Sequence, residues 1–198
     1  MNSLVLASSS SYRKALLERL QLPFTCYTPN IDERALDGEK AVDMAQRLSV
    51  EKARAVAEKF PGAIIIGSDQ VAELVETLPG GTRRNSIIGK PGNHQRAVEQ
   101  LTAQSGQTVY FHSGLAVIGQ GLEKSLVNTT EVDFRALSAT EIESYLRREK
   151  PYDCAGSFKA ESLGISLFEN VTSDDPSSLI GLPLIELCRL LRQFDIAI

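Results

Sequence analysis

The sequence predicts an α/β fold for this chain of 198 residues. An apolar stretch at Leu4 to Ala7, a serine-rich turn and a helix from about Tyr12 to Leu20 follow one another at its start. A second amphipathic helix spans about Val42 to Lys59 and leads into a β-branched strand at Ala63 to Gly67. With 42% hydrophobic and 23% charged residues, we expect one globular domain over residues 1–198, and disordered, collagenous and coiled-coil chains are excluded.

The second helix and the strand after it each present a charged residue where an apolar one is usual. Lys52 lies on the apolar stripe of the helix, and Asp69 follows the strand at its carboxyl end, where open α/β sheets bind ligands. Lys52 is either a side chain that reaches past the core to solvent or a cation directed into a cleft. For Asp69 a functional role is favoured over a structural one, because carboxylates are rarely buried without a partner.

The second half of the chain has predicted helices, strands and a loop. We expect a mobile loop over Thr77 to Asn85, which contains Pro79, Arg83 and Arg84. Asn93 caps a helix to about Gln104, and Ser138 with Glu141 forms a capping box for another. The other predicted elements are strands at Val71 to Val75, Thr108 to Ile118, Ser125 to Phe134 and Gly164 to Phe168, and a last helix with Pro183 in its first turn.

The net charge and the lengths of the apolar stretches limit the kinds of partner that this chain can bind. The net charge of −4 gives no broad attraction to nucleic acids or anionic lipids. No apolar stretch approaches the roughly 20 residues that span a bilayer, and no basic leader precedes Leu4, so we expect a cytoplasmic protein. Cys26, Cys154 and Cys188 are widely spaced, which predicts neither a disulfide framework nor a zinc site.

Several common catalytic motifs are absent from the sequence. There is no Gly-x-Ser-x-Gly stretch, so a serine hydrolase of that type is disfavoured. A P-loop at Gly89 and Lys90 would need glycine where Arg84 stands and serine or threonine where Pro91 stands. A dinucleotide fingerprint starting at Gly119 fails because Lys124 replaces its third glycine.

The serine turn remains a candidate anion site. Ser8 to Ser11 offer hydroxyl and backbone N–H donors at a helix N-terminus, and Arg13 adds a guanidinium beside them. The alternative is that the serines only cap the helix and that Arg13 is a solvated surface residue. The local sequence leaves both interpretations open.

Five ordered stretches resemble the motifs of the Maf family of nucleoside triphosphate pyrophosphatases and extend over nearly the whole chain. They are Leu4 to Arg13, Gly67 to Gln70, Gly89 to Pro91, Ala155 to Glu161 and Gly181 to Pro183. The resemblance implies a two-lobed mixed α/β sheet with flanking helices and a central nucleotide-binding cleft. It also implies a homodimer and a house-cleaning hydrolysis of a nucleoside triphosphate to the monophosphate and diphosphate, dependent on Mg²⁺, Mn²⁺ or Co²⁺.

The resemblance also implies roles for individual residues. Asp69 matches the catalytic proton acceptor for the attacking water, and Glu33 matches an acidic residue that helps Asp69 to hold metal. The residues that match the triphosphate-binding positions are Ser8, Arg13, Lys52 and Lys90. Cations and N–H donors suit a charged phosphoanhydride, which agrees with this set. Whether Asp69 acts as base, metal ligand or both is left open.

Three positions bear on base preference. Tyr12, Gln70 and Glu161 resemble the 7-methyl-GTP branch of the family rather than the dTTP/UTP branch. The cationic 7-methylguanine ring suits an aromatic face, and a carboxylate can accept from its N–H groups. The alternatives are a dTTP/UTP pyrophosphatase, and a nucleotide-binding regulator of septum formation without turnover. The Thr77 to Asn85 stretch is longer than the family norm and brings Arg83 and Arg84 near Lys90 in the sequence.

Overall fold

The computed structural model describes residues 3–77 and 80–198, which fold into seven strands and five α-helices. The elements are β1 (Leu4–Ala7), α1 (Ser11–Glu18), β2 (Phe24–Cys26), α2 (Ala41–Ala57), β3 (Ile64–Thr77), β4 (Arg83–Ile88), α3 (His94–Gln104), β5 (Thr108–Gly119), β6 (Leu122–Phe134), α4 (Ala139–Glu149), β7 (Phe168–Thr172) and α5 (Leu184–Arg192). Short 3-10 turns lie at Ala155–Ser157, Leu163–Leu167 and Ser178–Ile180. The predicted α/β class is confirmed.

The sheet is mixed, as the resemblance implied. Its strands are hydrogen-bonded in the order β2-β1-β3-β5-β6-β7, and β4 pairs with β3 outside this path. Strand β1 runs parallel to β2 and to β3, whereas β4 is antiparallel to β3 and β7 is antiparallel to β6. No helix of the described residues is long and apolar enough to cross a membrane.

The chain divides into two compact units. The first contains the chain up to Gln70 together with Ser113–Asn128 and Asp174–Ile198. Its central strand β1 is buried on both faces: Leu4 and Leu6 pack into one apolar cluster, and Val5 and Ala7 pack into another. This alternation follows from the two-residue period of a strand, and burial on both sides is typical of parallel pairing.

The second unit contains Val71–His112 and Thr129–Ser173. It holds the β3–β4 hairpin and the helices α3 and α4, whose N-termini carry the predicted caps. Asn93 accepts the Arg96 N–H, and Ser138 with Glu141 forms the capping box. The aromatic side chains at its centre meet edge to face with centroids 4.9–5.7 Å apart, and they are Phe111, Phe134, Phe158 and Phe168.

Two boundaries on β3 and β4 differ from the sequence predictions. Asp69 does not follow the end of a strand, because β3 is a single strand that continues to Thr77. The predicted loop from Thr77 to Asn85 is also wrong in part: Arg83 to Asn85 belong to β4, which pairs with β3. Residues 78–79 lie outside the described residues, and so does the predicted loop position Pro79.

A third prediction fails later in the chain. Gly164 to Phe168, expected to be a strand, is a 3-10 turn up to Leu167, and β7 begins at Phe168. Close packing explains the turn: a Cβ on Gly164 would lie 2.3 Å from the backbone oxygen of Lys159. The segment therefore folds back on the residues before it instead of extending.

Candidate functional site

The serine turn after β1 is partly used to begin α1. The Ser10 hydroxyl accepts the Arg13 N–H at 3.3 Å and caps the helix, and the Ser10 N–H donates to the Ser8 hydroxyl at 3.1 Å. Ser8 itself is buried, only 6% exposed. The capping interpretation therefore holds for Ser10, whereas Ser8 lies at the end of the buried strand with a hydroxyl proton of its own to donate.

Arg13 is a half-buried cation rather than a solvated surface residue. Its Nε donates to the Gly181 carbonyl at 2.9 Å, which fixes the direction of the guanidinium. Burial lowers the pKa of Arg13, and the negative charges of Asp69 and Glu33 act in the opposite direction. A guanidinium of fixed direction can donate hydrogen bonds to carboxylate or phosphate oxygens.

The central feature of the first unit is a buried ammonium group between two carboxylates. Lys52 Nζ lies 2.5 Å from Asp69 Oδ1 and 2.8 Å from Glu33 Oε1. The side chains of Lys52 and Asp69 are only 7% and 11% exposed, whereas that of Glu33 is 58% exposed. Of the two interpretations of Lys52 from sequence, the structure supports the inward-directed cation, because its ammonium group is directed to Asp69 and not to solvent.

Backbone crowding explains how α2 delivers Lys52 to Asp69. A Cβ on Gly67 would lie 2.1 Å from the Ser49 carbonyl oxygen, and one on Gly114 would lie 2.0 Å from the Ala45 carbonyl oxygen. Only glycine at these two positions lets the helix approach strands β3 and β5 so closely. Lys52, the next buried residue of α2 after Ser49, then reaches Asp69 on β3.

Asp69 lies beside the end of the neighbouring strand β1, not at the end of its own strand β3. The parallel pairing of β1 with β3 stops at Ala7 and Gly67, and antiparallel pairing with β4 begins at Ala72. Asp69 lies between these two registers, just beyond the carboxyl end of β1. Asp69 therefore lies at a strand end, as the sequence predicts, but the strand that ends there is β1.

The residues on either side of Asp69 bind backbone carbonyls of the first unit. Ser68 Oγ is fully buried and lies 2.8 Å from the Gly114 oxygen and 3.0 Å from the Gly181 oxygen. Gln70 Nε2 lies within 3.1 Å of the Ser113 hydroxyl and of the Ser178 and Leu179 carbonyl oxygens. The sequence patterns assign no role to Ser68. It helps to hold the Gly181 carbonyl, which in turn orients Arg13.

The remaining predicted residues lie elsewhere. Tyr12 is half-buried on α1, one residue before Arg13. Lys90 and Glu161 belong to the second unit and are exposed. The structure thus brings Arg13, Lys52, Glu33 and Asp69 together in the first unit, and it holds Lys90 and Glu161 on two segments of the second.

The donor set in the first unit suits a hard divalent cation. The described residues contain no group of three or more histidine, cysteine, aspartate or glutamate side chains that could hold a metal. Asp69 and Glu33 nevertheless converge, because both lie within hydrogen-bond distance of Lys52 Nζ. Mg²⁺ is commonly bound by one or two carboxylates, with water and substrate phosphates as its other ligands. Asp69 and Glu33 supply donors of this type, and in this structure both contact the Lys52 ammonium group.

Comparison with known proteins identifies the family of the chain. The family model described as Maf-like protein matches residues 3–194. The chain belongs to the Maf family. The resemblance of its five motifs is thereby confirmed, and these motifs contribute Ser8, Arg13, Asp69 and Gln70 to the first unit of the Maf chain.

Named relatives match this Maf chain over nearly its whole length. A 7-methyl-GTP pyrophosphatase of Xanthomonas axonopodis pv. citri is 52% identical over 193 residues, 98% of this chain and 97% of the relative. One of Polaromonas sp. is 50% identical over 197 residues, 98% of this chain and 86% of the relative. A solved HAM1 protein from Coxiella burnetii has a TM-score of 0.53 at 17% identity and covers 98% of this chain and 100% of its own, which indicates a shared fold.

Proposed function

We propose that this Maf protein hydrolyses 7-methyl-GTP to 7-methyl-GMP and pyrophosphate. The observation that carries the reaction is the buried Lys52–Asp69 pair beside Arg13, because it places a carboxylate among cations at the end of β1. The substrate is supported by full-length relatives, about half identical to this chain, that are named 7-methyl-GTP pyrophosphatases. Hydrolysis of a nucleotide outside the ordinary pool is a house-cleaning activity.

Lys52 can serve Asp69 and the substrate at the same time. An ammonium group has three N–H donors, and in the described residues two of them face the carboxylates of Asp69 and Glu33. The third is then available to a phosphate oxygen. We assign Arg13 and Ser8 to further phosphate oxygens, because one presents a guanidinium and the other a hydroxyl proton at the same strand end.

Asp69 is proposed as the proton acceptor. Water attacks the α-phosphorus, its proton passes to an Asp69 carboxylate oxygen, and the bond from the α-phosphorus to the α–β bridging oxygen breaks as pyrophosphate leaves. Lys52 holds the carboxylate in place through a 2.5 Å contact. Positioned general bases contribute about 10²–10⁴-fold to such steps.

The charge of the first unit's site explains why a metal ion is expected. Arg13 and Lys52 carry two positive charges, and Asp69 and Glu33 carry two negative charges, so these four groups sum to zero. A triphosphate needs further cations around it, which we assign to Lys90 and to Mg²⁺, Mn²⁺ or Co²⁺ held by Asp69 and Glu33. The bound ion would polarise the phosphoryl oxygens and offset the charge of the leaving group.

Three residues are proposed to select the base. Tyr12 offers an aromatic face to the cationic 7-methylguanine ring, an arrangement worth about 0.5–2 kcal/mol. Glu161 accepts from the N–H groups of the base and disfavours the acceptor-rich edge of a pyrimidine. Gln70 contributes through the backbone carbonyls of Ser178 and Leu179, which its amide nitrogen contacts.

A nucleotide panel tests this function. Purified protein with Mg²⁺ or Mn²⁺ is incubated with 7-methyl-GTP, GTP, dTTP, UTP and CTP, and monophosphate and pyrophosphate are measured separately. We expect 7-methyl-GTP to give the largest kcat/KM, equal amounts of the two products, and loss of activity when the metal is chelated. A preference for dTTP or UTP would contradict the base assignment, and absence of pyrophosphate with every nucleotide would contradict the reaction.

We further propose that the protein acts in the cytoplasm as a homodimer and does not bind nucleic acid. The net charge of −4 supports the last point, since nucleic acid binding rests largely on attraction to phosphates. Light scattering of the purified protein tests the dimer, and a mass of one chain would contradict it.

A further inference from the structure

One side chain of the second unit bonds to both segments that carry its predicted substrate-binding residues. Gln100, on α3, donates from Nε2 to the Gly89 carbonyl at 3.0 Å. Its Oε1 accepts from the Ser157 hydroxyl at 2.5 Å. Gly89 directly precedes Lys90, and Ser157 begins the segment that reaches Glu161. These contacts join stretches 11 and 57 residues away from Gln100.

The chemistry of this bridge requires an amide. The Gly89 carbonyl can only accept, so the group that faces it must be a donor, and the Ser157 hydroxyl uses its proton on the other end of the same amide. Glutamate at position 100 could still accept from Ser157 but would turn a second acceptor towards Gly89. Leucine at position 100 has a similar size but would lose the hydrogen bonds to both Gly89 and Ser157.

The Ser157 end of the bridge is rigid. Ser157 is fully buried and has φ +63, a backbone conformation that is uncommon for residues other than glycine. Gln104, one turn after Gln100 on the same helix, donates to the Gly156 carbonyl at 3.1 Å. Phe158 is anchored in the aromatic cluster, and the Lys159 N–H donates to the Tyr145 hydroxyl at 3.1 Å. The segment that leads to Glu161 is therefore fixed at consecutive residues.

The Gly89 end is held less firmly. Gly89 and Lys90 are exposed and lie between β4 and α3 without regular secondary structure. The Gly92 N–H donates to the Tyr152 carbonyl at 2.9 Å and secures the far side of this segment. Gln100 supplies the contact on the side of Gly89, and so it ties the less ordered segment to the rigid one.

We propose that Gln100 is a positioning residue that holds the Lys90 segment and the Glu161 segment in register with each other. The proposal rests on the function proposed above, in which Lys90 binds the triphosphate and Glu161 reads the base. Each half of the amide then has its own consequence. The donor to Gly89 governs binding of the triphosphate, and the acceptor from Ser157 governs preference for the methylated base.

Two substitutions separate the halves. Gln100→Glu removes the donor to Gly89, and we expect KM to rise roughly two- to tenfold for every nucleotide, the effect of about one hydrogen bond, with the 7-methyl-GTP to GTP ratio of kcat/KM unchanged. Ser157→Ala removes the hydroxyl proton from the other half, and we expect that ratio to fall by a similar factor. Gln100→Leu should show both effects.

Gln95→Glu is the matched control, because Gln95 is an exposed residue of the same helix and its amide donates a hydrogen bond to the exposed side chain of Glu99. We expect it to leave KM and the ratio at their wild-type values. Melting temperatures of all variants are measured alongside. If Gln100→Glu and Ser157→Ala lower the melting temperature but leave KM and the ratio unchanged, the role of Gln100 is structural and the proposal is overturned.

A readout without substrate separates this proposal from the proposed function. Amide hydrogen exchange should rise at Gly92 in Gln100→Glu and at Lys159 in Ser157→Ala. The N–H groups of these two residues donate the hydrogen bonds that hold the Lys90 segment and the Glu161 segment. Wild-type exchange at both amides would overturn the proposal even if the protein is an active pyrophosphatase. If exchange rises as expected but the wild type hydrolyses no nucleotide, the proposed function fails and the coupling of the segments stands.

Discussion

The two compact units hold their candidate substrate-binding groups in different ways. In the first unit Lys52 and Asp69 are buried and paired, and Arg13 is half-buried beside them. In the second unit Lys90 and Glu161 are exposed, and the segments that carry them are held by neutral amide hydrogen bonds.

This difference follows from the cost of burial. A buried charge is tolerated only beside a partner, so the first unit must keep its cations and carboxylates together. Exposed charges need no partner, and the second unit can place them with uncharged contacts to the backbone. We therefore expect substitutions in the first unit to affect both stability and turnover, and substitutions in the second to affect binding and base preference.

Removal of the Lys52 ammonium group should give the largest effect. Lys52→Met leaves the Asp69 carboxylate buried without its cation, and breaking such a pair costs about 3–5 kcal/mol. We expect chemical denaturation to show this loss together with loss of pyrophosphate release. The double variant Lys52→Met/Asp69→Leu should regain stability without activity. A single variant as stable as the wild type would contradict the description of a buried pair.

The close approach of α2 to the sheet can be tested at Gly67. In Gly67→Ala the new methyl group would meet the Ser49 carbonyl oxygen, so the helix must shift and carry Lys52 away from Asp69. Overpacking of this kind costs about 1–3 kcal/mol. We expect kcat to fall more than the loss of stability alone explains, measured at a temperature where both proteins are folded. Unchanged kcat would mean that the Lys52–Asp69 distance is not critical.

Arg13→Lys keeps the positive charge in the first unit and removes the planar set of guanidinium N–H donors. Lysine cannot reproduce the Nε contact to the Gly181 carbonyl and a guanidinium contact to phosphate together. We expect KM to rise about tenfold, equivalent to about 1.4 kcal/mol, with a smaller change in kcat. An unchanged KM would show that only the charge of Arg13 matters.

A charge in the second unit that stabilises the fold should give the smallest effect. The backbone N–H and hydroxyl of Ser138, followed by Arg135, lower the pKa of Glu141 to about 2. Because this pKa is below the ordinary value of about 4.3, ionised Glu141 stabilises the fold above that value, and the contribution is lost as the pH falls towards 2.

Glu141→Gln therefore has a defined pH dependence. Its melting temperature should be slightly below that of the wild type at pH 7, and the two should converge near pH 2, where Glu141 becomes protonated. Pyrophosphate release at pH 7 should not change. A difference in melting temperature that persists below pH 2 would contradict the electrostatic explanation.

The sequence predicts those elements whose signals are local. The Asn93 cap of α3 and the Ser138–Glu141 capping box of α4 are written in three or four consecutive residues, and both are present. The hairpin strand β4 was missed because it is mostly exposed and lacks apolar alternation, so that only its pairing with β3 identifies it.

The candidate site could be predicted only in part for the same reason. Lys52 on an apolar stripe is a local signal, and its inward direction is supported. Its meeting with Glu33 and Asp69 depends on three separate segments and on the absent side chain at Gly67, which no single pattern contains. Gln100 and Gln104 share one face of α3, and two glutamines on the inward side of an amphipathic helix were a signal that could have been used.

Asp69→Asn tests the central claim most directly, because the amide keeps the size of the carboxylate and removes its capacity as a proton acceptor. Pyrophosphate release from 7-methyl-GTP and binding of 7-methyl-GTP are measured on the wild type and the variant at the same metal concentration. We predict that release falls by about 10²–10⁴-fold while the nucleotide still binds. Release at the wild-type rate by Asp69→Asn would contradict the assignment of Asp69 as the proton acceptor.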